Sequence, residues 1–190
     1  MLKWKELYEE CKNCHKCALG EKRTNMVFGE GNMKAPIVFI GEAPGADEDR
    51  SGRPFVGKAG QLFTKGMLAL DLKRDRDYYI CNICKCRPDR NRTPTEEEAM
   101  TCLPYLRNQV ALIKPKIIIC LGATAMKYII GSDWRITRDR GKWIERKGYY
   151  IMPTFHPAAL FRDESKKSLF WRDLKSIKEK YEKLKEDGEI

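Results

Sequence analysis

Four short segments of the chain are apolar throughout instead of alternating with polar residues. They cover residues 37–40, 78–81, 117–121 and 149–152. A continuous apolar run of this length is typical of a strand in a parallel sheet whose two faces are both covered. The segments between the runs have helical spacing. The pattern therefore predicts an α/β fold, a three-layer α/β/α sandwich around a central four-stranded parallel sheet.

Apolar residues at helical spacing predict the covering helices. They run over residues 57–70, from 95 towards 113, from 123 to 131, and along a C-terminal stripe of Phe170, Leu174, Ile177, Tyr181 and Leu184. Thr95 followed by Glu98 is a capping box that starts the second helix, and Pro104 is expected to kink it. Gly131 is expected to end the third. We expect the stripe to pack on the domain instead of recruiting a partner.

The loops after the four strands are the places to look for a site, because ligands of open parallel sheets bind at the carboxyl ends of the strands. The first loop, residues 41–60, is rich in Gly, Pro and carboxylates. It has neither the Gly-Lys-Ser/Thr of a phosphate loop nor Gly-x-Gly-x-x-Gly, so we expect no nucleotide cofactor. The second loop follows Asn82, whose amide suits either a base edge or a turn. The fourth contains His156, which is either a functional group or an ordinary surface residue.

Composition adds a preference for a polyanionic partner. The 190 residues contain 37 Lys and Arg against 27 Asp and Glu, and the resulting net charge of +10 favours nucleic acid without proving it. The length suits a single domain over residues 1–190. Apolar runs stay far below the ~18 residues of a membrane span, and charges interrupt the N-terminal segment where a signal peptide would be apolar. We therefore expect a cytoplasmic monomer without membrane contact.

Eight cysteines in a reducing compartment point to metal ligation more than to disulfides. The first group has the spacing Cys-x2-Cys-x2-Cys and consists of Cys11, Cys14 and Cys17. Further ligands must come from a second group, made of Cys81, Cys84, Cys86 and Cys102. Cys81 and Cys120 lie within predicted strands and are expected to be buried as small apolar residues. Spacing alone leaves zinc and an iron–sulfur cluster both open, and either would tie residues 11–17 to residues 86–102.

An arginine-rich loop follows the second strand. Arg87, Arg90 and Arg92 fall within six residues, stiffened by Pro88, and such a group suits bidentate contacts to phosphate oxygens. The alternative is a solvated loop whose arginines pair with carboxylates.

Five sequence blocks in this order resemble the family 4 uracil-DNA glycosylases, the thermostable-type iron–sulfur branch of the uracil-DNA glycosylase superfamily. They are residues 41–45, 53–60, 82–88, 91–94 and 156–160, which read GEAPG, RPFVGKAG, NICKCRP, NRTP and HPAAL. The resemblance covers nearly the whole chain. It implies a monofunctional base excision repair enzyme. Such an enzyme flips deoxyuridine out of single- or double-stranded DNA and hydrolyses the N-glycosidic bond.

The resemblance also implies roles for individual residues. Phe55 stacks on the flipped base, Asn82 bonds the N3–O4 edge of uracil and rejects cytosine, and His156 donates to uracil O2 as the bond breaks. Glu42 orients the water or offsets the sugar cation. The other implied contacts are Ala43 lining the site, Glu48 near uracil C5, Leu160 as the wedge in the vacated stack, and Arg162 on DNA.

A 4Fe–4S cluster is implied as well, because the family pattern is Cys-x2-Cys followed much later by Cys-x15-Cys. That pattern falls on Cys14, Cys17, Cys86 and Cys102. Cys11 is an alternative to Cys14 in a shifted pair, and Cys84 is left without a role.

Two other functions compete with this interpretation. A small iron–sulfur electron carrier would need Cys-x2-Cys-x2-Cys-x3-Cys-Pro, and residues 18–21 supply neither the fourth Cys nor the Pro. A zinc-stabilised nucleic-acid-binding module would not need Glu42, Phe55, Asn82 and His156 to converge.

Overall fold

The computed structural model describes residues 2–190. Over that range the strands are β1 Glu30–Gly31, β2 Ile37–Gly41, β3 Tyr78–Asn82, β4 Ile117–Leu121, β5 Ile144–Arg146 and β6 Tyr149–Thr154. The α-helices are α1 Trp4–Lys12, α2 Ala18–Lys22, α3 Ala46–Ser51, α4 Lys58–Ala69, α5 Glu96–Ile113, α6 Ala123–Ile129, α7 Ile136–Asp139, α8 Ala159–Arg162 and α9 Lys166–Glu186. A short 3-10 helix covers Asp89–Asn91.

The strands form one sheet in the order β1-β3-β2-β4-β6-β5. The four central strands, β3, β2, β4 and β6, are parallel, and β1 and β5 pair antiparallel at the two edges. From β2 the chain moves outward to β3, and it then crosses back to β4 on the other side of β2. The strand order therefore reverses between β2 and β4, which is where an open sheet leaves a crevice at its carboxyl edge.

Each face of the sheet carries its own apolar core, because successive side chains of a strand point to opposite faces. Phe39 and Ile119 belong to one core, which α4 and α9 cover. Ile40 and Ile118 belong to the other, which α5 and α6 cover. All five residues of the predicted C-terminal stripe are buried in the first core. The predicted three-layer sandwich is confirmed.

The N-terminal helices α1 and α2 add a further layer outside α5. Leu7 and Cys11 of α1 pack with Phe28 and Tyr105 in a third, smaller core cluster. This packing places the cysteine-containing turn between α1 and α2 beside the loop that follows β3. Among residues 2–190, none of the helices combines the length and the apolar composition needed to span a bilayer.

The predicted elements and the observed ones differ mainly at the edges of the sheet. The four parallel strands occur where expected, but β1 and β5 extend the sheet to six strands. These edge strands have two and three residues and include Glu30, Glu145 and Arg146, so they gave no apolar run to detect. Helix α5 starts with the predicted capping box, in which the Glu98 N–H donates to Thr95 Oγ1 over 3.2 Å. It runs as one helix through Pro104, where a kink was expected.

Candidate active site

A cavity of about 680 Å³ opens at the carboxyl ends of the parallel strands. Its wall combines Glu42 after β2, Asn82 at the end of β3, Gly122 after β4 and His156 after β6. Phe55, from the long loop between α3 and α4, completes it. The parallel topology brings these residues together although they lie far apart in sequence.

Phe55 is held rigidly in an unusual backbone conformation. Its φ of 53° lies in the left-handed region, which a residue with a side chain adopts only at a cost. Gly60 lies so close that a Cβ there would overlap the Phe55 main chain. The Arg74 guanidinium donates to the Pro54 carbonyl over 2.9 Å and to the Phe55 carbonyl over 3.2 Å. The surrounding structure therefore fixes this aromatic side chain before any ligand arrives.

Glu48 fixes the same loop from the other side. Its carboxylate accepts hydrogen bonds from the main-chain N–H groups of Gly45 over 3.1 Å, Val56 over 2.9 Å and Gly57 over 2.8 Å. Three amide donors on one carboxylate tie the start of α3 to the start of α4. Glu48 lines the cavity, as the sequence predicted, but its oxygen atoms are occupied by the protein's own backbone.

Asn82 lines the cavity and has a buried acceptor without a partner. The residue is 2% exposed, and its Oδ1 has no hydrogen-bond partner among residues 2–190. A buried carbonyl without a partner is costly, which is a sign of a ligand contact. Gly41 on the neighbouring strand makes room for it, because a Cβ at that position would collide with Asn82 Oδ1 and lie 2.7 Å from Phe55 Cζ.

His156 lies beside Phe55, with the two ring centroids 5.6 Å apart. Burial, helped by the charge of Arg162 and opposed by that of Glu48, lowers the pKa of His156 to about 4. The imidazole is therefore neutral at pH 7. The Ala158 N–H donates to His156 Nδ1 over 3.1 Å, so the single ring proton sits on Nε2. The result is a neutral hydrogen-bond donor at the cavity wall.

Glu42 has a partner that the sequence did not reveal. The hydroxyl of Thr124, in the first turn of α6, donates to Glu42 Oε2. Both residues line the cavity, together with Ala43. Thr124 follows β4, so the rule that ligands bind at strand ends would have found it had the third loop been included.

The arginine loop beside the cavity has only one arginine whose charged group is unoccupied. Arg92 forms a two-pronged ion pair with Glu98, over 2.7 and 2.8 Å, and Arg87 Nε donates to Asn91 Oδ1 over 2.8 Å. Arg90 is exposed and has no hydrogen-bond or ion-pair partner among residues 2–190. Arg162 is also exposed, and it lines the cavity.

Leu160 does not occupy the position predicted for the wedge. It is 2% exposed and packs in the core with Phe155 and Phe170. A side chain at that depth has no access to a base stack. Phe161, the next residue in α8, is 55% exposed. Successive residues of a helix point in directions about 100° apart, which explains why Leu160 is buried while the adjacent Phe161 is exposed.

A second, small pocket lies between α1, α2, α5 and the loop after β3. Five cysteines line it: Cys11, Cys14, Cys17, Cys86 and Cys102. Two sulfur atoms receive hydrogen bonds, Cys86 Sγ from the Arg23 guanidinium over 3.2 Å and Cys102 Sγ from the Lys85 N–H over 3.3 Å. Burial raises the pKa of Cys11 to about 12 and that of Cys86 to about 11.

The other cysteines lie apart from this lining. Cys81 and Cys120 are fully buried in β3 and β4, as their place in apolar runs predicted. Cys84 is buried behind Cys102, and a hydrogen bond between the two thiols raises the pKa of Cys84.

Comparison with known proteins identifies the family. A model of the uracil DNA glycosylase superfamily matches residues 28–175, a range that contains the whole cavity. The chain belongs to the uracil-DNA glycosylase superfamily. A type-4 uracil-DNA glycosylase of Thermotoga maritima is 47% identical over 159 residues, which is 83% of this chain and 82% of the relative. A type-4 uracil-DNA glycosylase of Sulfurisphaera tokodaii is 45% identical over 183 residues, 92% of this chain and 83% of the relative.

A more distant relative belongs to another branch of the same superfamily. A type-5 uracil-DNA glycosylase of Pyrobaculum aerophilum is 30% identical over 146 residues, 68% of this chain and 64% of that protein. The resemblance inferred from the five sequence blocks is therefore confirmed, including its assignment to the type-4 branch.

In this superfamily member, most of the predicted site residues share the cavity. They are Glu42, Ala43, Glu48, Phe55, Asn82, Arg92, His156 and Arg162. Arg87, Arg90 and Leu160 lie outside its lining. No sequence pattern indicates Arg74, because its long-range contact to two carbonyls leaves no local pattern.

Proposed function

We propose that this chain is a uracil-DNA glycosylase that releases uracil from DNA by hydrolysis and leaves an abasic site. The observation that carries the proposal is the convergence of Phe55, Asn82 and His156 on one cavity, where each residue offers a different contact to a planar base. An aromatic face, an amide edge and a neutral donor are what recognition of a flipped pyrimidine requires.

Base selectivity comes from Asn82. Its unpaired Oδ1 accepts the N3–H of uracil, and its amide nitrogen donates to O4. Cytosine has no proton on N3 and carries an amine where uracil has O4, so both contacts fail. A site built to pair with polar groups rejects an analogue that leaves them unpaired by large factors. Glu48 contributes by fixing the loop that holds Phe55, which also limits the space beside C5.

Bond cleavage relies on His156 and Glu42. The Nε2–H of the neutral imidazole donates to uracil O2, and this hydrogen bond strengthens as negative charge develops on the leaving base. Glu42, oriented by Thr124, lies where it positions water or offsets the positive charge of the sugar. A Glu42→Gln variant should lose single-turnover rate, and a full rate would remove Glu42 from the mechanism.

DNA contacts come from both sides of the cavity. Arg90 and Arg162 are the exposed cations that reach phosphates, while Arg92 secures the start of α5 through Glu98. Phe161, and not Leu160, is the apolar side chain free to fill the space left by the flipped nucleotide.

The cysteine pocket is proposed to hold a 4Fe–4S cluster on Cys14, Cys17, Cys86 and Cys102. A single metal ion needs several ligands around one point, and no group of three Cys, His, Asp or Glu side chains in residues 2–190 is arranged in that way. Thiols distributed around a pocket, with N–H groups directed at two of the sulfur atoms, fit the larger frame of a cluster. When bound, the cluster supplies structural cross-linking of the N-terminal arm to the loop after β3.

Cys11 also lines this pocket, so it stays an alternative to Cys14 as a ligand. Cysteines stay reduced in a reducing compartment, and the cytoplasmic location stays a prediction. The single-domain organisation and the monomeric state also stay predictions.

A uracil-release assay tests the function directly. The purified protein is incubated with matched oligonucleotides containing one uracil, one thymine or one cytosine, and abasic sites are revealed by alkali. Cleavage of the uracil strand alone is expected. No cleavage by iron-loaded protein would favour the electron carrier, and zinc content with DNA binding but no cleavage would favour the binding module.

A further inference from the structure

A buried lysine connects the two pockets. Lys85 is 1% exposed and lies in the loop after β3, between the base-reading Asn82 and Cys86. Its Nζ donates to the main-chain carbonyl of Asn82 over 2.8 Å, and its own N–H donates to Cys102 Sγ over 3.3 Å. One residue thus contacts the last residue of β3 with its side chain and the cysteine pocket with its main chain.

Burial of a charged ammonium group at the position of Lys85 is energetically unfavourable. Lysine is almost never fully buried unless it is paired. No carboxylate in residues 2–190 lies within ion-pair distance of Nζ. Lys85 instead lines the cysteine pocket together with Cys11, Cys14, Cys17, Cys86 and Cys102. Among residues 2–190, the hydrogen-bond partner of its Nζ is the main-chain carbonyl of Asn82.

The hydrogen bond from Lys85 stabilises the main chain of Asn82 in particular. Asn82 is the last residue of β3, and its side chain lines the cavity with a buried, unpaired Oδ1. The main-chain N–H groups of Ile83 and Cys84 donate to the carbonyls of Gly41 and Glu42, and the hydrogen bond from Lys85 adds a contact to the Asn82 carbonyl itself. A strand end that carries an unpaired buried amide needs its main chain fixed independently of the ligand. Lys85 contacts that main chain and lies outside the lining of the cavity.

We propose that Lys85 is a positioning residue, which holds Asn82 in its uracil-reading orientation through the Asn82 carbonyl. The proposal rests on the proposed function, because it assigns Asn82 the reading of uracil. It adds a residue that touches neither the base nor the DNA.

The test compares Lys85→Met with Lys85→Arg and with the wild type. Lys65→Met, an exposed lysine of α4, serves as the control for loss of one charge. Four quantities are measured on iron-loaded protein: inhibition by free uracil, affinity for an abasic-site oligonucleotide, iron per chain with the visible spectrum, and cooperativity of thermal unfolding.

We expect Lys85→Met to bind free uracil about tenfold more weakly, the loss of one hydrogen-bonded support, with unchanged affinity for abasic DNA and unchanged iron. Lys85→Arg, which keeps the charge and a donor, should recover most of the uracil affinity. Lys65→Met should equal the wild type in all four measurements.

Three results would overturn the inference. The first is inhibition of Lys85→Met by free uracil at the wild-type level, and the second is a parallel loss of affinity for uracil and for abasic DNA. The third is failure of both Lys85→Met and Lys85→Arg to unfold cooperatively, which would assign Lys85 a purely structural role. A wild type that releases no uracil would instead defeat the proposed function itself, so the two failures are distinguishable.

Discussion

The base-binding cavity and the cysteine pocket adjoin the same short loop after β3, yet they are organised in opposite ways. In the cavity, Glu48 accepts hydrogen bonds from main-chain N–H groups and Arg74 donates to main-chain carbonyls, so the walls are fixed while Asn82 Oδ1 stays unpaired. In the cysteine pocket, two of the sulfur atoms themselves receive hydrogen bonds, and the N-terminal segment also packs through the third core cluster. The cavity is thus complete before its ligand binds, whereas the cysteine pocket depends on what the thiols bind for its strength.

Removing the donor of the cavity should have the largest effect. His156→Ala is expected to reduce single-turnover uracil release by about 10²–10³-fold, because one preorganised donor to a developing oxyanion is worth that much. Affinity for abasic DNA should change little, since the hydrogen bond strengthens in the transition state. His15→Ala is a matched control, because His15 is the other of the two histidines and is exposed. Equal losses in binding and rate would contradict this role.

Substitution of a cysteine in the cysteine pocket should lower the stability of the protein before it affects catalysis. Cys86→Ala is expected to lower iron per chain and to cost several kcal/mol of unfolding free energy, a fall in Tm of about 10 °C. Cys120→Ala, a change at an equally buried cysteine in β4, should keep the iron and the visible absorption. Iron retained by Cys86→Ala would move the ligand set to other cysteines, with Cys11 the first to examine.

The pH dependence of the free energy of unfolding distinguishes the contribution of His156, in the cavity, from the contributions of other groups. The pKa of His156 is about 4 in the folded state against 6.5 for an unperturbed histidine, so between these values the unfolded chain binds a proton that the folded protein does not. The free energy of unfolding should therefore fall as pH drops from 6.5 to 4, by up to about 3 kcal/mol from this group.

Urea unfolding of the wild type and of His156→Ala measures this contribution by difference. The wild type should lose more stability than the variant between pH 6.5 and 5, a window above the range in which most carboxylates titrate. Parallel curves would mean that His156 is accessible to protons in the folded protein.

Selectivity at Asn82 should be a smaller effect. Asn82→Asp is expected to lower the preference for uracil over cytosine by about 1–3 kcal/mol, because the new side chain accepts from the cytosine amine and no longer donates to O4. Rates on matched uracil and cytosine oligonucleotides give the ratio. An unchanged ratio would mean that another residue reads this edge of the base.

The smallest expected effect distinguishes the two adjacent residues of α8. Phe161→Ala should slow uracil release from duplex DNA by about three- to tenfold and leave single-stranded substrate almost unaffected, since only a duplex leaves a gap in a stack. Leu68→Ala in α4 is the matched control, with a side chain 56% exposed against 55% for Phe161. Equal rates for Phe161→Ala on both substrates would exclude it as the wedge.

The sequence predicted the secondary-structure elements, and which residues converge on one site, better than it predicted individual side-chain contacts. Asn82 and His156 could be placed at one site because parallel strands end at the same edge of the sheet. The capping pair Thr95 and Glu98 could be predicted equally well, because a capping box is a local sequence pattern. By contrast, the ion pair between Glu98 and Arg92 spans a loop and could not be predicted from a local pattern, and the contact of Arg92 with phosphate stays a prediction.

Two further differences have the same physical origin. Whether Leu160 or Phe161 faces solvent depends on the rotation of a four-residue helix, which tertiary packing decides. The left-handed backbone of Phe55 is forced by its neighbours Gly60 and Arg74, and the type of a residue does not reveal such strain in advance.

The three amide hydrogen bonds to Glu48 have a kinetic consequence. They join the loop before α3 and the loop before α4 into one stiff clip, so the slot beside Phe55 cannot widen to admit a base and then tighten around it. The slot then binds a nucleotide only after the nucleotide has rotated out of the DNA helix in a conformation that already fits. Turnover on duplex DNA should accordingly follow how readily each uracil-containing base pair opens, with loosely stacked or mispaired uracils processed first.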